Sequence, residues 1–151
     1  MASKGERATQ AQRTLDYFEK ADGKLAGLHK HALNASTLYT PEMLEKLPEA
    51  QNSFDTHYEL TGESVMDAII RLDREKAPAV GVLNFASARN PGGGFLNGSR
   101  AQEESLAASS NLYFIQTLPQ NWVYYEINRQ FSSTLYTDHM IFSRNTVFVT
   151  S

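Results

Sequence analysis

Three consecutive glycines, Gly92, Gly93 and Gly94, followed after the seven residues Phe95 to Ala101 by Gln102, Glu103 and Glu104, are the part of this chain whose residue types and spacing could do chemistry. A glycine run costs conformational entropy on folding and is tolerated where a backbone must turn tightly or approach a ligand closely. Its amides can form a nest for an anion such as phosphate, although an ordinary surface loop would carry the same glycines. A carboxyl group near a bound sugar can act as a general acid or base. Glu103 and Glu104 are neighbours, and consecutive helical residues point about 100° apart, so they need separate roles. The bland reading of the pair is an acidic first helical turn, favoured by the helix dipole. Two better-known phosphate loops do not fit. A nucleotide-triphosphatase loop needs lysine and then serine or threonine after its glycines, and a dinucleotide fingerprint needs a different glycine spacing.

The elements around this segment must position it. Ala8, Ala11, Leu15 and Phe18 recur at helical spacing, which predicts a helix from Glu6 to Lys20, ended by Asp22-Gly23. The stretch from Leu28 to Thr40 shows no helical period, and Thr37 to Tyr39 reads as a short strand near its end. Pro41 starts a brief helix to Leu47, Glu49 to Asp55 is loop, and Thr56 to Leu60 is strand-like. Thr61 is placed to cap a helix from Gly62 to Lys76. Ala79 to Ala86 is a short, nearly continuous apolar run, as expected of a strand buried on both faces at the centre of a sheet, with Asn84 near its carboxyl end, where ligands bind in open α/β sheets. Ser99 and Gln102 have the spacing of a capping box, which predicts a helix start at Ser99 and a helical pattern through Leu106, Ser110, Tyr113 and Phe114 to a break at Pro119. Trp122 to Phe131 reads as a helix, and Met140 to Phe142 and Thr146 to Thr150 as strands. Alternating helices and strands imply an α/β class with a mainly parallel or mixed sheet.

The stretch Asn84 to Ser105, with its GGG and QEE triplets, closely resembles the signature of bacterial-type poly(ADP-ribose) glycohydrolases, a macrodomain branch; a looser likeness extends from the first helix to Tyr136–Ile141. The resemblance implies a macrodomain-like mixed sheet flanked by helices, with residues 1–78 as an N-terminal extension and 79–151 as the first part of the core, the two forming one structural unit. It implies hydrolysis of ribose–ribose O-glycosidic bonds with Glu104 as acid and base, and Glu103 holding hydroxyls of the ribose being cleaved. The Gly92 to Gly94 loop, flanked by Phe95, would wrap the diphosphate. Asn84, Asn90 and Gln102 would complete the substrate site. The family domain is longer, so the resemblance covers its N-terminal part, and the alternatives are a non-catalytic ADP-ribose-binding module or an inactive fragment. Partners implied are poly(ADP-ribose) or ADP-ribosylated proteins, with no metal and no cofactor.

Composition narrows the remaining classes. The 151 residues carry 14 Lys plus Arg against 17 Asp plus Glu, a net charge of −3, which leaves no electrostatic footprint for duplex nucleic acid. There is no cysteine, hence no disulfide framework, thiolate metal site or cysteine nucleophile. The start MASKGERATQ is too polar for a signal-peptide core, and the run Ala77 to Leu83 is too short to span a bilayer, so no membrane role and a cytoplasmic location are expected. His29 and His31, read on one strand face, lack a third ligand at a recognisable spacing, so the metal reading is dropped. Trp122, Tyr124 and Tyr125 read as core aromatics rather than stacking residues. An apolar strand at 146–150 with nothing following it would leave an uncovered edge, so self-association through it is expected.

Overall fold

A computed structural model describes residues 2–49, 54–131 and 135–149. Its first helix, α1 (Lys4–Glu19), begins at a full capping box: Ser3 Oγ accepts from the Glu6 amide, and the Glu6 carboxylate accepts from the Ser3 amide. Ala11, Thr14 and Phe18 form its buried face. A second helix, α2 (Gly23–Asn34), occupies most of the stretch where no helical period is visible. Leu25, Leu28 and Ala32 do stand at helical spacing there, but they begin ahead of the stretch read as non-helical and only Ala32 is buried. His29 and His31 therefore do not share a strand face. Two residues apart on a helix they point about 200° apart. His29 packs against the Phe18 and Phe114 rings, and His31 meets the Asn145 side chain.

Helices and a small sheet are found, as the α/β class requires, but the sheet among the described residues is antiparallel rather than mainly parallel or mixed. β1 (Thr37–Tyr39) pairs with β2 (Met140–Phe142) in the register Thr37–Phe142, Leu38–Ile141 and Tyr39–Met140. A short helix, α3 (Pro41–Leu44), follows the Thr40 cap and ends earlier than expected. In α4 (Val65–Arg74) the cap is Ser64 rather than Thr61, because Asp67 stands three residues on to close a capping box. The Thr61 hydroxyl donates to Glu63 instead. Neither Thr56–Leu60 nor Ala79–Ala86 forms a strand. Tyr58 and Leu60 are almost fully exposed, as are much of Leu83 and Phe85, because no strand among the described residues lies beside either segment to pair its backbone and cover its faces. No helix among the described residues is long and apolar enough to cross a membrane.

The helix expected from Ser99 to Pro119 is two helices, α5 (Gln102–Ala108) and α6 (Leu112–Gln116). The break is filled by the C-terminal segment: the Asn111 amide donates to the Val147 carbonyl, the Asn111 side-chain oxygen accepts from the Val147 amide, and the Val149 amide donates to the Ser109 carbonyl. These bonds hold 147–149 against the junction, joined by one bridge between Ser110 and Phe148 rather than as a free strand edge; Thr150 lies outside the described residues. Pro119 ends one pattern and starts the next as the first residue of α7 (Pro119–Gln130).

Two small cores result. Ala11, Phe95 and Ala107 join α1, a 3₁₀ turn (Phe95–Asn97) and α5, while Ala88, Tyr124 and Tyr125 join the start of the glycine loop to α7, with Leu38 and Ile141 of the sheet packed against them. The first core depends on a close approach at Gly98, whose φ is +70° and where an added Cβ would collide with the Lys4 carbonyl; the Gly98 carbonyl accepts from Arg7 Nε at 2.8 Å. Gly98→Ala should therefore cost about 2 kcal/mol or more, combining left-handed backbone strain with that collision. Chemical denaturation checks it, and unchanged midpoints would mean that α1 does not seat on this glycine.

Candidate active site

The start of α5 carries Glu103 and Glu104 under the glycine loop. The helix starts at Gln102 with Ala101 as its cap residue, so Ser99 is not the cap. Its side chain instead fills the space beside Gly94, where a Cβ would overlap it. Gln102 does not reach back either. Its amide donates to the Leu83 carbonyl at 2.7 Å and its oxygen accepts from the Phe85 amide at 2.8 Å, which fastens the extended 83–85 segment to α5. This commits Gln102 to holding backbone rather than facing the cleft.

Glu103 is 3% exposed, and both of its oxygens are occupied. Oε2 accepts from the Ser87 amide at 2.7 Å, and Oε1 accepts from the Gln116 side chain at 2.9 Å. The Gln116 oxygen in turn accepts from the Gly92 amide at 2.9 Å. Burial pushes the Glu103 carboxyl above its ordinary value; the Ser87 amide, Gln116 and Asn84 pull against this, while the neighbouring Glu104 charge adds to it. Glu103 thus ties the loop to α5 and α6, with a donor of the protein on each of its oxygens.

Glu104 differs from its neighbour. Its Oε1 accepts from the Gly94 amide at 3.0 Å, its Oε2 has no hydrogen-bond partner, and the side chain lines a cleft of about 610 Å³. Gly93 makes this fit possible: its φ is +59°, and a Cβ there would lie 2.6 Å from Glu104 Oε1 and 3.1 Å from Glu103 Oε2. The anion nest expected of the glycines is not formed. The amides of Gly92, Gly93 and Gly94 donate instead to Gln116, the Asn90 carbonyl and Glu104.

The other site candidates divide. Asn90, Gly93 and Gly94 line the cleft with Glu104, whereas Gly92 lies behind it against Phe95 and Tyr113. Phe95 is 2% exposed in the first core, where it supports the loop from beneath. Asn84 sits beside Glu103 with its side-chain oxygen buried and without a partner, although not at the end of a strand. Reasoning from sequence missed Ser87 and Gln116. The Ser87 hydroxyl also accepts from the Arg89 and Asn90 amides, a turn pattern that the Ser-Ala-Arg-Asn spacing could have suggested. Gln116 left no signal beyond being polar on a short apolar helix. Tyr124 and Tyr125 are core, as expected, but Trp122 is not confined there: it lines the cleft with Tyr113 and Arg129.

Because the folded state holds the Glu103 proton more tightly than the unfolded chain does, native Glu103 favours folding most below the ordinary glutamate pKa, and this contribution is lost as pH rises through its raised value. Glu103→Gln cannot titrate. The melting temperature of the parent should therefore fall relative to that of the variant between mildly acidic and neutral pH; thermal melts across that window check it, and parallel curves would refute a raised Glu103.

Comparison with known proteins bears on the whole arrangement. No curated protein matches the chain. Among solved structures, poly(ADP-ribose) glycohydrolase from Thermomonospora curvata matches with a TM-score of 0.80 and 35% identity over 92% of this chain and 54% of that one. The enzyme from Deinococcus radiodurans, solved in complex with ADP-ribose, matches with a TM-score of 0.68 and 50% identity over 76% of this chain and 46% of that one. The chain thus spans about half the length of these structural relatives. The family model for the microbial-type PARG catalytic domain matches residues 7–150. With its glycine loop closed over two glutamates in unlike surroundings, this chain belongs to the microbial-type poly(ADP-ribose) glycohydrolase catalytic-domain family.

Proposed function

We propose that the chain hydrolyses the ribose–ribose O-glycosidic bonds of poly(ADP-ribose), free or on modified proteins, releasing ADP-ribose in the cytoplasm, with residues 1–78 and 79–151 working as one unit. The observation that carries this reading is the inequality of the two glutamates. Glu103 has both oxygens bonded to the protein, while Glu104, whose side chain lines the cleft, keeps one buried oxygen without a partner. Glu104 is the acid: its proton passes to the departing ribose oxygen as the glycosidic bond breaks, leaving an oxocarbenium-like sugar. The resulting carboxylate takes a proton from water as the water oxygen bonds to the anomeric carbon, which restores the acid. Glu103 is a positioning residue, holding Ser87 and Gln116 and through them the loop. Asn84, beside it, and Asn90, on the cleft wall, are the ribose and phosphate contacts that this reading favours, and Gly93 and Gly94 bring that wall close to the sugar. The ADP-ribose complex of the Deinococcus radiodurans relative supports the ligand class.

A non-catalytic ADP-ribose-binding module is the second reading, favoured by the exposed apolar stretch Val80 to Phe85. That stretch, rather than 146–149, is also the surface through which copies of this chain would associate, since uncovered apolar side chains promote pairing.

Glu104→Gln keeps the side-chain shape and should lower turnover of polymer by roughly 100-fold to 10,000-fold while ADP-ribose affinity, measured by calorimetry, changes little. Turnover equal to the parent's would end the assignment, and ADP-ribose binding by a parent without turnover would favour the binding module. In sedimentation, the parent should associate with rising concentration and Val82→Lys/Phe85→Lys should remain monomeric; a parent that is monomeric throughout would remove the association.

A further inference from the structure

All three glycine amides donate to internal acceptors, which leaves a side-chain cation of the cleft as a partner for a diphosphate. Among the described residues that line the cleft, Arg129 is the one cation. Its guanidinium lies 4.9 Å above the Trp122 ring, and its Nε donates to the Arg89 carbonyl at 2.8 Å. The ring face and the carbonyl hold the planar group in one orientation at the beginning of the glycine loop. No carboxylate among the described residues pairs with it. Guanidinium groups held on aromatic faces keep their forked donors available for phosphate oxygens, and less freedom is lost on binding when the group is already oriented.

We propose that Arg129, oriented by Trp122 and the Arg89 carbonyl, is the phosphate-binding residue of the cleft and takes a diphosphate of the ADP-ribose substrate. The proposal rests on the functional reading above and names the group that recognises the anionic part of the ligand. Arg129 belongs to the last turn of α7, where a basic residue also suits the helix dipole. That purely structural role would involve neither the cleft nor the tryptophan. The diphosphate can be that of the terminal ADP-ribose unit, whose ribose lies at Glu104, or that of the adjoining unit in the polymer, and the test separates them.

Trp122 is the single tryptophan of the chain, so its emission reports directly on the guanidinium above it. The parent, Arg129→Gln and Arg129→Lys are titrated with ADP-ribose and with the ADP-ribose dimer, following Trp122 fluorescence and calorimetric heat, after thermal melts have shown that each is folded. Arg129→Gln should weaken binding about tenfold or more, the loss expected of a charge-assisted hydrogen bond, with a shallower salt dependence. Arg129→Lys loses the bond to the Arg89 carbonyl but keeps the charge, and should stay closer to the parent than Arg129→Gln does. Weakened ADP-ribose binding assigns the terminal diphosphate; weakening confined to the dimer assigns the adjoining one. Equal affinities of parent and Arg129→Gln for both ligands would overturn the proposal while leaving Glu104 as the acid, whereas a parent that binds neither ligand would overturn the functional reading as well.

Discussion

A glutamate carboxylate taken almost wholly out of water has to be met by donors, since burying an ionised group without them costs several kcal/mol. Glu103 is met by the Ser87 amide at the beginning of the glycine loop and by Gln116 at the end of α6, and Gln116 passes the connection on to Gly92. Each charge-assisted bond contributes about 1.5–3 kcal/mol, so the pair offsets much of the burial cost only while the loop, α5 and α6 keep their places. Remove any one of the three and a buried charge loses a donor. The carboxylate thereby acts as a polar joint among the loop, α5 and α6, beside the apolar packing of Phe95, Ala107 and Tyr113.

The same joint separates two adjacent and chemically identical side chains. Glu103 points inward with a donor on each oxygen. Glu104, about a quarter-turn around the helix, is held by a single glycine amide and keeps one oxygen without a partner. Division of labour between two carboxylates commonly arises this way, through environment rather than residue type. Gly93 is what permits both to sit so near the loop, because any Cβ at that position would occupy the space of the Glu104 carboxylate.

A loop whose amides face inward changes where the cleft obtains its charge. The glycines provide closeness rather than attraction, and the wall supplied by α7 provides the cation, carried on an indole and anchored to the loop's own backbone. The α7 wall is itself seated by Tyr125, buried against Ala88 at the loop's beginning, whose phenol burial pushes far above its ordinary value. Opposite this well-tied region, Val80 to Phe85 is held chiefly by Gln102 and leaves its apolar side chains in water. The chain is thus tightly determined around the two glutamates and loosely determined one segment upstream.

Local features of this protein are legible in its sequence because they are decided within a few residues. The stripe of α1, the Pro41 helix start, the β1 and β2 strands and the GGG and QEE triplets all belong to that class, and so does the expectation that neighbouring glutamates must differ. Expectations failed where a distant partner decides. Ala79–Ala86 has the composition of a central strand, yet a strand exists only where another lies beside it. Ser99 has the spacing of a cap but packs on Gly94, and α2 hides because it buries almost nothing. Which glutamate is saturated depends on donors 16 and 13 residues away, and the cation of the cleft on a bond spanning 40. Spacing along the chain cannot encode such choices, because side-chain partners at that separation are selected by the packing of whole helices, which only the folded structure sets.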